Sequence, residues 1–360
     1  MIRCRNKKLR ALLSGILCLS SFYVMQTILQ LYVFHPGVFR TNFSVSQHAS
    51  FREVFKNNTR TFNGIDRNNS EANVYRWKDN QWKRIPGFCS QPEKFLSTTL
   101  KTAIGKMKMY IHDVAKDIHV SGSIKRTGLW DSPGVYSMIS RLKRQPGMGL
   151  IDIGSQLGTF SLVAAMMGRD VVSIDPLVEN VVRLCKTVQE GNVTSKVTIL
   201  FSALSAKRKL VTFKRLPNNI GGTHISDVRE PITDVNVDDD YNKNFINTVL
   251  LDDILPFVNF SKAFIKIDVE GHEYEALKEG RQFFANIDVF GVLMEWFQIR
   301  TSKRGFQLRN LMTSFNFRAE DPQLRGRLDQ SKPASWPSDI LWLKKDAFAA
   351  RPAIKPRVLL

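Results

Sequence analysis

Two stretches of the chain hold residues whose types and spacing can do chemistry. The first is Gly149 to Pro176, GLIDIGSQLGTFSLVAAMMGRDVVSIDP. It sets out Asp152-x-Gly154-x-x-x-Gly158, and Asp175 follows Gly154 by about the twenty residues at which an acid reaches a ribose hydroxyl. A dinucleotide pyrophosphate calls for G-x-G-x-x-G. The wider glycine spacing and the acid before the first glycine disfavour a pyrophosphate and suit a cationic or amino-acid group. S-adenosylmethionine carries a ribose, a sulfonium and an ammonium, and it fits all three features. The second stretch is Asp268-Val-Glu270-Gly-His272-Glu273, followed at some distance by Glu295-Trp296. Carboxylates and an imidazole placed together can bind a hydroxyl and take its proton. Ordinary capping of the next helix accounts for one of these acids, less easily for Asp268, Glu270 and His272 together.

The elements that must position these residues are legible from the hydrophobic pattern. Leu150, Ile151 and Ile153 form a short buried strand ending at Gly154, Thr159 to Met167 an apolar helix closed by Gly168, and Val171 to Ile174 a second strand ending in Asp175-Pro176. Gly154 and Gly158 are expected to let the backbone approach a ligand at the helix N-terminus. Val178 to Glu190 reads as a helix, Lys196 to Leu204 as a third strand, Leu210 to Leu216 as an excursion strand, and 217–246 as a long polar loop. Ala263 to Ile267 reads as a strand ending at Asp268, Tyr274 to Phe284 as a helix, and Val289 to Met294 as a strand ending at Glu295. Leu308 to Phe317 as helix and Asp339 to Leu343 as strand complete the sheet. The expected fold is α/β, a doubly wound, mostly parallel sheet, with Asp152, Asp175, Asp268 and Glu295 along its carboxyl rim. Before it, Ser97 to Val120 has a helical pattern, residues 121–131 form a glycine-marked stretch, and Val135 to Leu142 reads as a helix.

The N-terminal region reads differently. Residues 1–10 hold Arg3, Arg5, Lys7, Lys8 and Arg10 and no acid; 11–34 is uncharged over twenty-four residues. As a helix that run spans about 36 Å, enough for a bilayer core of about 30 Å. The expectation is a cytosolic tip at 1–10, a transmembrane signal anchor at 11–34 and everything beyond it lumenal. A cleaved signal peptide is the rival reading. Residues 35–95 are polar, Asn-rich and read as a stem, partly ordered around Trp77 and Trp82; 96–346 is the domain and 347–360 a tail. Acceptor sequons begin at Asn42, Asn57, Asn68, Asn192 and Asn259, three of them clustered just past the anchor. Cys89 and Cys185 would sit in an oxidising lumen and could pair, which sequence separation alone does not decide. The formal net charge is +19. Five of those cations belong to the tip, and no aromatic-interleaved basic stripe points to nucleic acid.

Asp152-Ile-Gly154-x-x-x-Gly158, Thr248-Val-Leu-Leu-Asp252-Asp253 and above all Lys266-Ile-Asp-Val-Glu-Gly-His-Glu273 resemble the FkbM-type methyltransferases, over roughly 113–343. The resemblance implies a class I S-adenosylmethionine-dependent fold and O-methylation, commonly of sugar or polyketide hydroxyls. Asp152, Gly154, Gln156, Gly158 and Asp175 would then hold the cofactor, while Asp268, Glu270 and His272 form the reacting side, with Asp268 and His272 as the candidate bases and Glu270 positioning the acceptor. Gln156 stands where the family often has Asn, and Asp175-Pro176 replaces the commoner Glu-Pro; both keep the polarity. The expected function is O-methylation of a glycan or other sugar-containing acceptor by a single-pass type II membrane protein of the Golgi or endoplasmic reticulum. The alternative is a non-catalytic carbohydrate-binding module on the same fold. Asp268 with Glu295 could hold a hard divalent cation, but no metal site is assigned.

Overall fold

The computed structural model describes residues 71–90, 93–228, 239–323 and 328–345. The expected cytosolic tip, anchor, most of the stem and the tail lie outside the described residues. Among those described, no helix is long and apolar enough to cross a membrane.

In chain order the first strands are β1 (Asn73–Lys78), β2 (Gln81–Arg84), β3 (Leu96–Lys101) and β4 (Lys106–Ile111). Helices α1 (Val120–Thr127) and α2 (Ser132–Arg144) follow. Then come β5 (Gly149–Ile153), α3 (Thr159–Met166), β6 (Val171–Asp175), α4 (Val178–Glu190) and β7 (Val197–Phe201). An excursion follows, with β8 (Ala203–Leu204), β9 (Leu210–Leu216), β10 (Asn219–Asp227) and β11 (Phe245–Val249). The chain returns with β12 (Lys262–Ile267), α5 (Glu273–Lys278), α6 (Arg281–Asn286), β13 (Asp288–Glu295), α7 (Lys303–Ser314), β14 (Phe317–Glu320) and β15 (Asp339–Lys344).

The central sheet has the order β14-β15-β13-β12-β5-β6-β7-β1-β2. Its middle, from β13 across to β1, is parallel, and β15 inserts antiparallel between β13 and β14. This is the doubly wound architecture that the resemblance implies. From β5 the chain builds outward through β6 and β7, then crosses back to lay β12 and β13 on the other side of β5. The order reverses between β5 and β12, so a crevice opens outside their carboxyl ends. Leu150, Ile151 and Ile153 on β5 are essentially fully buried, each worth about 1.5–3 kcal/mol relative to exposure. Helix α3 is apolar all round and has seven of its residues, 159–165, buried, as its composition requires.

Three expectations need correction. The stretch 97–120 is not a helix but the β3–β4 hairpin, paired from Leu96↔Ile111 to Lys101↔Lys106. Its alternation of Lys106, Met107, Lys108 and Met109 is a period-2 pattern, and Thr102 Oγ1 closes the turn by accepting from the Ile104 and Gly105 amides. The domain also starts before residue 96: β1 pairs parallel with β7 and β2 extends it, so the Trp77 and Trp82 segment is part of the sheet. Finally, the helix expected over 274–284 is two, broken at Glu279-Gly280, where a Cβ on Gly280 would come within 2.5 Å of Leu251 Cδ2.

Cys89, just beyond β2, is joined to Cys185 in the middle of α4, with their Cα atoms 5.4 Å apart. Both sulfurs are buried among the core residues. The bridge closes a loop of 96 residues and ties the N-terminal strand pair to the helix behind β6 and β7. Chain-entropy arguments and measured removals put such a bridge at about 2–5 kcal/mol. Replacing both cysteines with alanine is expected to lower unfolding stability by that amount in a denaturant titration; a change under about 0.5 kcal/mol would mean the bridge constrains nothing.

Candidate active site

The glycine turn after β5 is tied to the tip of β6 through Asp175. Its Oδ2 accepts from the Gln156 amide at 2.8 Å, and its Oδ1 accepts from the Leu177 amide at 2.9 Å and Asn180 Nδ2 at 3.0 Å. Asp175 is 4% exposed, and burial pushes its carboxyl up to about 6 against the pull of those three donors. Gln156, at φ 50°, is held in the left-handed region by this bond. Both turn glycines have φ above +70°, yet the close approaches they permit are internal. A Cβ at Gly154 would collide with the Asp268 carbonyl, and one at Gly158 with Leu184 of α4. Gly154 therefore lets the ends of β5 and β12 meet while still lining the crevice, and Gly158 seats α3 on α4.

Asp152 is also differently employed. It is 1% exposed, and its Oδ2 accepts from the Ser161 amide at 3.0 Å and the Ser161 hydroxyl at 2.6 Å. It anchors α3 from within the sheet, and it also lines one lobe of the crevice. Burial pushes its carboxyl to about 6.

The loop after β12 is ordered by its own last acid. Glu273 Oε1 accepts from the Val269 and Gly271 amides, both at 3.2 Å, so a buried carboxylate satisfies two loop donors that would otherwise be orphaned. With that support Glu270 and Gly271 take consecutive left-handed conformations, φ 56° and 87°. The turn projects Asp268 and Glu270 to one side, into the crevice beside Gly154, Gln156 and Gly221. His272 lies where the crevice meets the neighbouring space beside Ser205, and its Nε2 shares a hydrogen bond of 3.2 Å with Ser205 Oγ. Burial lowers its pKa and favours the neutral ring. The acids of the Thr248 to Asp253 segment prove structural: Asp252 accepts from the Gln282 and Phe283 amides at the start of α6, and Asp253 pairs with Arg208.

Lys266 is a buried crevice residue that the expected site omits. It is 4% exposed on β12, and its ammonium donates to Asp268 Oδ2 at 3.0 Å while lying 5.3 Å from the Phe160 ring centroid. Burial alone would lower its pKa, but Asp268, Asp131 and Asp339 outweigh that and hold it raised. A lysine inside the apolar run Ala263-Phe-Ile-Lys-Ile was itself the signal, since a lone cation is almost never buried unpaired. Around it, burial and the neighbouring Asp268 charge push Glu270 to about 7. Burial pushes Glu273 to about 7, and burial with Asp268, Glu270 and Glu273 pushes Glu295 to about 9. Asp131, the N-cap of α2, is pushed to about 6 by burial. Gln298 Nε2 bridges Glu270 and Glu295. Among the described residues no group of three or more His, Cys, Asp or Glu is arranged to hold a metal ion.

The crevice has two lobes sharing Gly154, Gln156, Gly221, Asp268 and Glu270. One is a narrow slot lined by Leu177 and Leu204 together with the buried Asp175 and Asn180. The other, about 280 Å³, runs past Asp131, Lys266 and Glu295. Strand β10, within a stretch that reads as loop, walls both with Gly221 and packs against Val120 and Gln156. Two buried hydroxyls on this crevice, Ser155 Oγ and Thr223 Oγ1, have no hydrogen-bond partner in the protein.

Residues 152–319 match the family described as the methyltransferase FkbM domain. The chain carries an FkbM methyltransferase domain. The matched span opens on Asp152 and takes in the whole crevice except His119, Val120, Trp130 and Asp131. No curated protein matches the chain significantly. Among solved structures it is similar to magnesium protoporphyrin IX methyltransferase from Synechocystis PCC 6803 with bound SAM, at 14% identity over 58% of this chain and 77% of that one, TM-score 0.33. It is also similar to a SAM-dependent O-methyltransferase from Thermotoga maritima, at 11% identity over 76% of this chain and 93% of that one, TM-score 0.34. The FkbM match and the sheet order carry the assignment; likenesses at this level add no argument about ligand or acceptor.

The clustered carboxylates give the FkbM domain a pH signature. An acid whose pKa is raised on folding binds more protons folded than unfolded, so stability falls as pH rises between the two values. Glu295 (about 9), Glu270 and Glu273 (about 7) all lie above the ordinary glutamate value. Buried His112 and His272, shifted down, act only below about 6.5. The melting temperature is therefore expected to fall steadily from about pH 6.5 to pH 9, and Glu295→Gln should flatten that slope. A melting temperature that rises over this window would contradict the clustering.

Proposed function

We propose that the chain is an S-adenosylmethionine-dependent O-methyltransferase acting on a hydroxyl of a glycan or other sugar-containing acceptor in the secretory pathway. The observation that carries this reading is the crevice at the strand-order reversal, with an Asp175-tied glycine turn on one side and the Asp268–Glu270 turn on the other. The residues present fit the cofactor. The slot between Leu177 and Leu204 is apolar and narrow, suited to a flat base, with Asp175 in its lining for ribose hydroxyls. Ser155 and Thr223 supply unpartnered hydroxyls, and the carboxylates beyond Gly154 suit a positively charged end. Gln156 closes the turn between the two lobes.

When bound, the cofactor supplies a methyl group made electrophilic by its sulfonium. The chain's own part is to align the acceptor and remove its proton. Asp268, Glu270 and His272 form the reacting side of this proposal. Asp268, a candidate base by sequence, is held by Lys266 and serves instead to orient the hydroxyl. Glu270, pushed to about 7, has the basicity suited to neutral pH. His272, kept neutral by burial, lies at the crevice mouth on the acceptor's side.

A lumenal location is supported by the buried Cys89–Cys185 bridge, which needs an oxidising compartment to form. The two sequons within the described residues, at Asn192 and Asn259, are both exposed. The signal anchor at 11–34 remains part of this proposal.

The test is transfer of labelled methyl from S-adenosylmethionine by the full chain to a glycan panel, with Glu270→Gln alongside. The wild type is expected to label glycan hydroxyls. The variant should lose about 10²–10⁴ in kcat while binding the cofactor as tightly. Cofactor binding without any labelling would favour the carbohydrate-binding alternative, and an unimpaired variant would remove Glu270 from the role of base.

A further inference from the structure

A second cavity, about 510 Å³, adjoins the crevice on the side away from α3 and shares with it His224, Ile225, Glu270 and His272. None of the expected cofactor residues lines it. It opens where β9 and β10 of the excursion face the loop after β12 and the start of α7. Both groups of the reacting side that could take a proton, Glu270 and His272, therefore stand on the boundary between the two spaces.

The charged lining is balanced: Lys207, Lys209 and Arg304 are matched by Asp227, Glu270 and Glu275. Most of these groups are already paired. Lys209 Nζ donates to Asp227, and Arg304 Nε donates to Glu275 Oε1 at 2.8 Å. Each pair presents a donor next to an acceptor, and Ser205 with His272 adds a third such couple at 3.2 Å. A vicinal diol both donates and accepts at every oxygen, so it can bridge such couples without breaking them. A polyanion cannot, because Lys209 and Arg304 are already taken by Asp227 and Glu275, whose carboxylates it would meet. The chain's net charge of +19 is not concentrated in this cavity.

From this arrangement we propose that the cavity is the acceptor subsite, and that the acceptor is a neutral polyhydroxylated sugar rather than an acidic or phosphorylated one. Its reacting hydroxyl enters the crevice between Glu270 and His272, while its other hydroxyls lie across Arg304–Glu275 and Lys209–Asp227. The proposal rests on the methyltransferase reading and adds the subsite and its charge selectivity.

The experiment measures methyl transfer to p-nitrophenyl glycosides, neutral hexosides and deoxyhexosides against the glucuronide and a phosphorylated hexoside. The enzymes are wild type, Glu275→Gln and Asp227→Asn, with cofactor affinity followed calorimetrically in each. Transfer is expected to a neutral glycoside, with KM raised at least tenfold in the variants, kcat within about threefold and cofactor affinity unchanged. Asp227 is exposed, so Asp227→Asn keeps the test alive if Glu275→Gln misfolds. Preference for the charged glycosides overturns the selectivity. A KM that stays within twofold of wild type overturns the subsite, and so does cofactor binding with no transfer to any glycoside. Absence of cofactor binding in the folded wild type instead defeats the methyltransferase reading itself.

Discussion

The site depends on one buried ammonium. Lys266 is set into the buried part of β12 and is almost fully enclosed, with Asp268, Asp131 and Asp339 close enough to hold its charge. Removing a buried charge from such a pairing typically costs about 3–5 kcal/mol, because the partners are left uncompensated. Here the partners are carboxylates that already repel one another: Glu270 and Glu295 are displaced upward by burial and by the Asp268 charge. Without Lys266 the rim of the crevice would hold a run of acids and no buried cation to balance them.

The second constraint is steric and lies beside the first. The carbonyl of Asp268 occupies the space where any side chain at Gly154 would begin. The turns after β5 and β12 are consequently locked together at the point where the sheet order reverses, with Asp268 N donating to the Ile153 carbonyl at 3.0 Å. Glu273 fixes the β12 turn from behind, and Asp175 fixes the β5 turn from the β6 side. Much of the motif chemistry is thus spent on holding two turns in register, which preorganises the few groups that face the crevice.

How much of this was legible in the sequence follows the physics of each element. The parallel strands and α3 and α4 were readable because each is buried over most of its surface, and an apolar run bounded by Gly or Asp-Pro has few other readings. Helix α4 appears with the expected bounds, Val178–Glu190. The β3–β4 hairpin was missed because its outer face is exposed and its alternating lysines and methionines also suit a helix. Strand β10 was missed because its glycines and polar residues look like a loop, and only its pairing with β9 makes it a wall of the site. At the site, the positions of Asp175, Asp268 and Glu270 followed from strand ends. The role of Asp152 did not, because a carboxylate that anchors Ser161 and one that binds a ligand look alike until the helix is placed. The pairing of Cys89 with Cys185 likewise depended on knowing that β1 and β2 extend the sheet beyond β7.

The central claim is that the crevice between the β5 and β12 turns is a nucleoside site. It is tested most directly by calorimetric titration of the folded full chain with S-adenosylhomocysteine, for wild type and Asp175→Ala. The account predicts saturable one-to-one binding by the wild type and a loss of at least tenfold in the variant, whose circular dichroism should stay that of a folded α/β protein. No heat with the folded wild type, or equal affinity in the two proteins, would contradict it.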